Sequence, residues 1–166
     1  MLPDEITDDE TVRQRALRAV EGYAELGLHD FAWEELAPFM HQAARRIDVQ
    51  ETILNLLMRE KRWVEAIETG QTLCRNCPDL PHPFIHTAFC LHETKRTLEA
   101  LKMLRSGPQS LQQDAIYHYN CACYLAVLGH DDDARAALHT AFALDEALQE
   151  NARIDPDLAT LRPRNG

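Results

Sequence analysis

AIYHYNCACYLAVLGHDDDARAALHTAFALDE, residues 115–146, reads as two amphipathic helices joined at Gly129. Apolar residues recur every three to four positions on both sides of that glycine, the period of a helix with one buried stripe. Ala134, in the second helix, has counterparts at Ala100, Ala66 and Ala32, each 34 residues before the next. The phrases around the four match in turn: DDDARAAL, RTLEALKM, RWVEAIET and HDFAWEEL. A fixed period of about 34 residues marks a stacked helix-turn-helix array. The fold class expected is all-α, an α-solenoid of about four helix pairs.

Each alanine is expected where the second helix of a pair crosses the first. Two helices approach to about 8 Å only over a small side chain. One turn further along the same face come Leu36, Gly70, Leu104 and Leu138. Twelve residues before the alanines stand Val20, Leu54, Ala88 and Ala122, followed one turn on by Tyr23, Leu57, Leu91 and Leu125. Those residues supply the matching stripe on the first helix.

This pattern resembles the tetratricopeptide repeat family, whose consensus runs W-x2-L-G-x2-Y, then A-x3-F, then P. The resemblance covers residues 13–146 as repeats over 13–46, 47–80, 81–114 and 115–146. Pro78 stands near the end of the second repeat, where the family's terminal proline belongs. The family's early glycine is replaced by Val20, Leu54, Ala88 and Ala122. Its turn glycine is present as Gly27 and Gly129, with Lys61 and Lys95 in the other two repeats.

Around the repeats, residues 1–12 read as an acidic N-terminal tail, with Thr7 or Asp8 as a cap for the first helix. Pro38 must end or kink the second helix near Ala37. Ser106-Gly107-Pro108 closes the third pair early, and a helix is expected from about Leu111 to Leu128. Asp131 is the expected cap of the last repeat's second helix. Residues 147–166 read as a C-terminal cap broken at Asp155-Pro156, with Leu148, Ile154, Leu158 and Leu161 covering the exposed end of the stack.

At 166 residues the chain suits a single domain, and its 45% apolar and 27% charged content is ordinary for a soluble one. A net charge of −10 argues against nucleic acid and against an anionic membrane surface. The acidic N-terminus is unlike a secretory signal, and five cysteines are an odd number. A reduced, cytoplasmic, bacterial-like chain is the expectation.

Cys74 and Cys77, followed by His82, His86 and Cys90, invite a zinc reading, yet the C-x2-C-x4-H-x3-H spacing is too tight for a usual finger. Cys121 reads as core, while Cys123 points toward the other helix face. The scattered His29, His41, His118, His130 and His139 lack spaced carboxylate partners, and no phosphate-binding glycine motif is present. No catalytic residue, no metal and no cofactor is expected. The chain is read as a non-enzyme, with a Cys/His metal or redox regulator as a lesser alternative.

In tetratricopeptide repeat proteins, ligands lie along the concave face made by the first helices. The resemblance places that groove at Leu17, Glu21 and Glu25, at Glu51, Asn55, Met58 and Arg59, at Ile85, Phe89 and His92, and at Ile116, Tyr119 and Cys123. The subgroup that grips a terminal carboxylate uses Lys, Asn and Arg. Leu17 and Glu21 stand in the first repeat's positions for Lys and Asn, and His82 and His86 in the third repeat's for Lys and Arg. The implied function is a scaffold or adaptor that binds another protein or peptide, one with a basic end and an apolar end. A small chaperone like those of type III secretion is an alternative within the same class. A second subunit in a homodimer, or the chain's own termini, covering part of the groove is a further reading.

Overall fold

The computed structural model describes residues 3–162, and those residues are all-α, with no strand among them. Nine α-helices follow in chain order among the described residues: α1 Pro3–Glu25, α2 His29–Leu36, α3 Ile47–Arg59, α4 Trp63–Asn76, α5 Pro81–Glu93, α6 Thr97–Arg105, α7 Ala115–Val127, α8 Asp131–Leu144 and α9 Leu148–Ile154. The first eight form successive helix-turn-helix pairs of the α-solenoid class. By their contacts the residues divide into two compact units: the first runs through Thr69, and the second starts at Gly70, within α4.

The period read from the sequence is the period of the packing. Ala32, Ala66, Ala100 and Ala134 are all fully buried, and the amide of each donates to the carbonyl four residues earlier, at Leu28, Arg62, Arg96 and His130. Val20, Leu54, Ala88 and Ala122 are at most 1% exposed, so the facing positions on the first helices are core too, while Tyr23 and Leu138 at the two ends of the pattern are half-buried. In the second unit Gly70 stands one turn after Ala66, where the other repeats carry leucine. A Cβ on Gly70 would come within 2.1 Å of Thr87 Oγ1, so only glycine admits α5 this close.

The four turns are alike although their residues differ. Gly27, Lys61, Lys95 and Gly129 all have positive φ, at 73°, 59°, 65° and 81°. In each, the next residue's amide bonds back five positions, as Arg62 to Leu57 at 2.9 Å and Arg96 to Leu91 at 2.9 Å. This is the paired carbonyl closure of a Schellman ending. Lys61 and Lys95 hold the conformation that glycine adopts without a Cβ penalty, because the 34-residue register requires it there.

Several boundaries differ from the sequence expectation. α1 starts at Pro3, so it takes in most of the stretch read as a tail, and Thr7 and Asp8 lie inside it. Proline fits that first position because its fixed φ suits the helix and no amide is needed. Pro38 ends α2 at Leu36, and the chain continues as a 3-10 helix, Ala37–Gln42. The helix expected from Leu111 is two pieces: a 3-10 helix Gln109–Gln113, then α7. Asp114 between them accepts the amides of Ile116 and Tyr117 and caps α7. Asp131 is the first residue of α8 rather than its cap; His130 holds that place without a side-chain bond.

Within the first unit, Arg13 is 2% exposed and bridges Asp48 at 3.0 Å and Glu10 at 3.2 Å, joining α1 to α3. Trp33 donates its indole N–H to Glu60 at 2.9 Å while Arg62 lies over its ring, which ties α2 to the turn after α3.

Two substitutions test this account. Ala100→Leu forces a larger side chain between α5 and α6 and should cost roughly 1–3 kcal/mol. An unchanged denaturation midpoint would refute the crossing. Lys95→Gly relieves the left-handed strain at an exposed turn and should stabilise by up to about 1 kcal/mol, net of the flexibility glycine adds to the unfolded chain. A thermal melt compares it with the parent.

Candidate functional site

The groove positions fall into two groups, one in each unit. In the first unit Glu21, Glu25, Asn55 and Arg59 are exposed, and Glu51 and Met58 are half-buried. Leu17, expected on the open face, is 9% exposed and belongs to the core. What remains on the surface there is polar and carries three of the acidic residues.

In the second unit the positions on α5 and α7 split along each helix. Phe89 and Ile116 are exposed, at 37% and 42%. His92, one turn after Phe89, is 8% exposed; Tyr119 and Cys123, one and two turns after Ile116, are 8% and 4% exposed. Ile85 is buried too. The open groove expected at His92, Tyr119 and Cys123 is therefore closed, and the residues closing it come from the chain's own C-terminal segment.

That segment follows α9 and forms a 3-10 helix, Pro156–Leu161, packed on α7 and α8. Asp155 caps it by accepting the Asp157 amide at 3.0 Å. Its second carboxylate oxygen accepts the Tyr119 hydroxyl at 2.8 Å and the Cys123 thiol at 3.6 Å. Asp157 bonds His92 Nε2 at 2.9 Å, while His92 Nδ1 bonds Thr97 Oγ1 at 3.0 Å. Leu158 and Leu161 are buried beside these contacts, and Arg135 of α8 donates to the Leu161 carbonyl at 3.0 Å. Ile154, expected to help cover the stack, is 81% exposed, whereas Leu148 before it and Leu158 and Leu161 after the break at Asp155-Pro156 are buried.

The electrostatics follow from burial beside carboxylates. Burial pushes the Cys123 thiol up, and the charges of Asp155 and Asp157 push it further. Burial likewise raises Tyr119, and its bond to Asp155 adds to the shift. Both groups stay protonated at neutral pH and act as neutral donors rather than nucleophiles. Tyr124, whose ring lies tilted with its centroid 4.8 Å from that of His92, is the one residue among the described residues with a buried side-chain polar atom lacking a partner, its hydroxyl.

The cysteine and histidine residues that invited a zinc reading lie elsewhere. Cys74 is buried, with its sulfur 3.9 Å from Thr87 Oγ1, whereas Cys77 is half-buried. His82 and His86 stack on one another with ring centroids 6.4 Å apart; burial, then the neighbouring His82, lowers the pKa of His86. Cys90 is buried and its thiol is pushed up to about 12, chiefly by desolvation. Among the described residues the metal-capable group that converges is Cys123, Asp155 and Asp157, with donor atoms within 4.8 Å of one another. Each already takes part in the hydrogen bonds between α5, α7 and the C-terminal segment. Neither Asp155 nor Asp157 stands out as a site residue in the sequence, since the break they flank signals only a turn. No described helix is long and apolar enough to cross a membrane.

No protein-family model matches the sequence, and no curated protein matches it significantly. Solved structures do. MamA of MSR-1 is 19% identical with a TM-score of 0.65, covering 80% of this chain and 76% of its own. MamA of AMB-1 is 17% identical, also with a TM-score of 0.65, over 78% and 76%. A thermophilic TPR protein of Thermus thermophilus is 20% identical with a TM-score of 0.70, over 89% and 80%. At these identities the likeness speaks for the fold. With the 34-residue period and the four matching turns, it identifies the chain as having the fold of the tetratricopeptide repeat proteins.

Proposed function

We propose that the chain is a non-catalytic scaffold that binds a protein or peptide segment on the faces made by the first helices of its pairs. One observation carries this reading. In the second unit a short 3-10 segment already lies on α5 and α7, held by side-chain donors of the face and by two inserted leucines. A helical face that orders a short stretch of its own chain has the shape and donors to order a similar stretch from a partner. Beside that segment, Phe89 and Ile116 offer an exposed apolar edge.

The first unit contributes differently. Glu21, Glu25 and Glu51 give its face a negative field that favours a basic stretch of a partner. A desolvated aromatic anchor can contribute about 2 kcal/mol or more, whereas exposed charges mainly steer encounter. The partner we infer thus has a basic stretch that speeds association and an apolar stretch that holds it.

Affinity capture followed by mass spectrometry supplies a partner, and calorimetry and stopped flow on variants test the reading. Phe89→Ala and Ile116→Ala should weaken binding at all salt concentrations, Phe89→Ala by about tenfold or more. Glu21→Lys should slow association chiefly at low ionic strength. Parent-like binding by both apolar variants would move the site off this face.

A further inference from the structure

The face of the second unit has a chemical preference that its own C-terminal segment displays. Three buried polar side chains line it: Tyr119, Cys123 and His92. Each directs a polar atom at a carboxylate of that segment, Tyr119 and Cys123 at Asp155 and His92 at Asp157. Each would lose that carboxylate partner if the segment left and an apolar stretch took its place, His92 keeping only its bond to Thr97. Burying a donor without its acceptor is unfavourable, so a purely apolar replacement is disfavoured. The leucines after the acids then fill space between helices, as Leu158 does at 2% exposure.

We propose that the α5–α7 face is an intramolecularly occupied binding site, and that its external ligand is a partner segment with two acids two residues apart followed by leucine, as in Asp155-Pro156-Asp157-Leu158. The C-terminal segment is then a strap that competes with that ligand. This rests on the scaffold reading above and specifies what its second unit takes.

The strap is suited to such competition. It reaches the face through α9, which is anchored at its start by the buried Leu148 but leaves Ile154, next to the strap, 81% exposed. Tethering gives it an effective concentration on the order of millimolar, which an external segment must exceed or outbind. It leaves Phe89 and Ile116 exposed, one turn from His92 and from Tyr119 respectively. A longer ligand gains apolar contact there that the strap does not make.

The test uses the full chain and two peptides. One peptide copies residues 153–162, RIDPDLATLR; the other carries Asn at both Asp positions. In the full chain, Asp155→Ala with Asp157→Ala loosens the strap while leaving α5 and α7 intact, and circular dichroism checks the fold. The opened chain should bind the acidic peptide at least about tenfold more tightly than the parent does, and should lose about tenfold with the Asn peptide. Adding Tyr119→Phe should weaken the acidic peptide several-fold and leave the Asn peptide nearly unchanged. The parent gives a second measurement that needs no opened variant. Excess acidic peptide should speed hydrogen exchange in residues 155–161, and excess Asn peptide should not.

Equal affinity for the two peptides would overturn the acid preference while leaving the face a docking surface. No binding of either peptide by a folded opened chain, with no change of exchange in the parent, would overturn the inference and take the second unit out of the scaffold reading. An opened chain that pairs with itself in sedimentation and ignores the peptide would give the face to a second copy, and the proposal would fall.

Discussion

The close approach of two helices over one methyl group is the constraint on which the rest of this structure depends. At Ala32, Ala66, Ala100 and Ala134 no solvent-accessible surface remains, and any larger side chain would push the pair apart. Once the crossing is fixed, the turn that precedes it has little freedom. The chain must reverse within a few residues and return to the same height, and a left-handed residue is the short way to do it. That is why Lys61 and Lys95 accept a conformation that disfavours side chains: the crossings at Ala66 and Ala100 lie five residues further on. Gly70 extends the same rule within the second unit, where α4 meets Thr87 of α5 so closely that even a methyl group is excluded.

Much of this was legible in the sequence because it repeats. Four copies of a weak pattern reinforce each other, so the alanine crossings, the helix pairs and the fold could be read although no single repeat is a strong match. Features that occur once were harder. The register spoke for a turn at Lys61 and Lys95, but the residue type hid its left-handed conformation. Leu17 satisfied the periodicity of both a groove and a core, and packing of α1 decided for the core. Ile154 looks like a capping residue by composition, yet it is left exposed while Leu148, Leu158 and Leu161 are buried. Asp155 and Asp157 were read as flanking a break, because their partners Tyr119, Cys123 and His92 lie between 32 and 65 residues away. Long-range polar pairing leaves no local period to read.

Those pairings separate the C-terminal segment from a generic cap. A cap for an exposed helical end needs only apolar residues beneath and polar residues outside. Here the segment also places carboxylates against a hydroxyl, a thiol and an imidazole that are each more than nine-tenths buried. The nearby Tyr124 shows the contrast: its ring packs on His92, and its hydroxyl finds no acceptor. Where the segment reaches, buried donors are met; one residue further along α7, one is not.

The kind of donor matters as much as its position. Lys or Arg on this face would draw acidic groups from a distance and bind many of them. A tyrosine hydroxyl and a cysteine thiol, both held protonated by burial and by the carboxylates themselves, act only at contact. Selectivity must then come from geometry, and the segment is shaped for it. Asp155 accepts the amide of Asp157 and Pro156 fixes the backbone between them, so the turn that carries the two carboxylates has its own local constraints. A pre-ordered pair loses less entropy on docking than a flexible one. Uncharged donors such as Tyr119 and Cys123 can therefore hold the Asp155 carboxylate on an acidic chain, provided that carboxylate arrives already arranged.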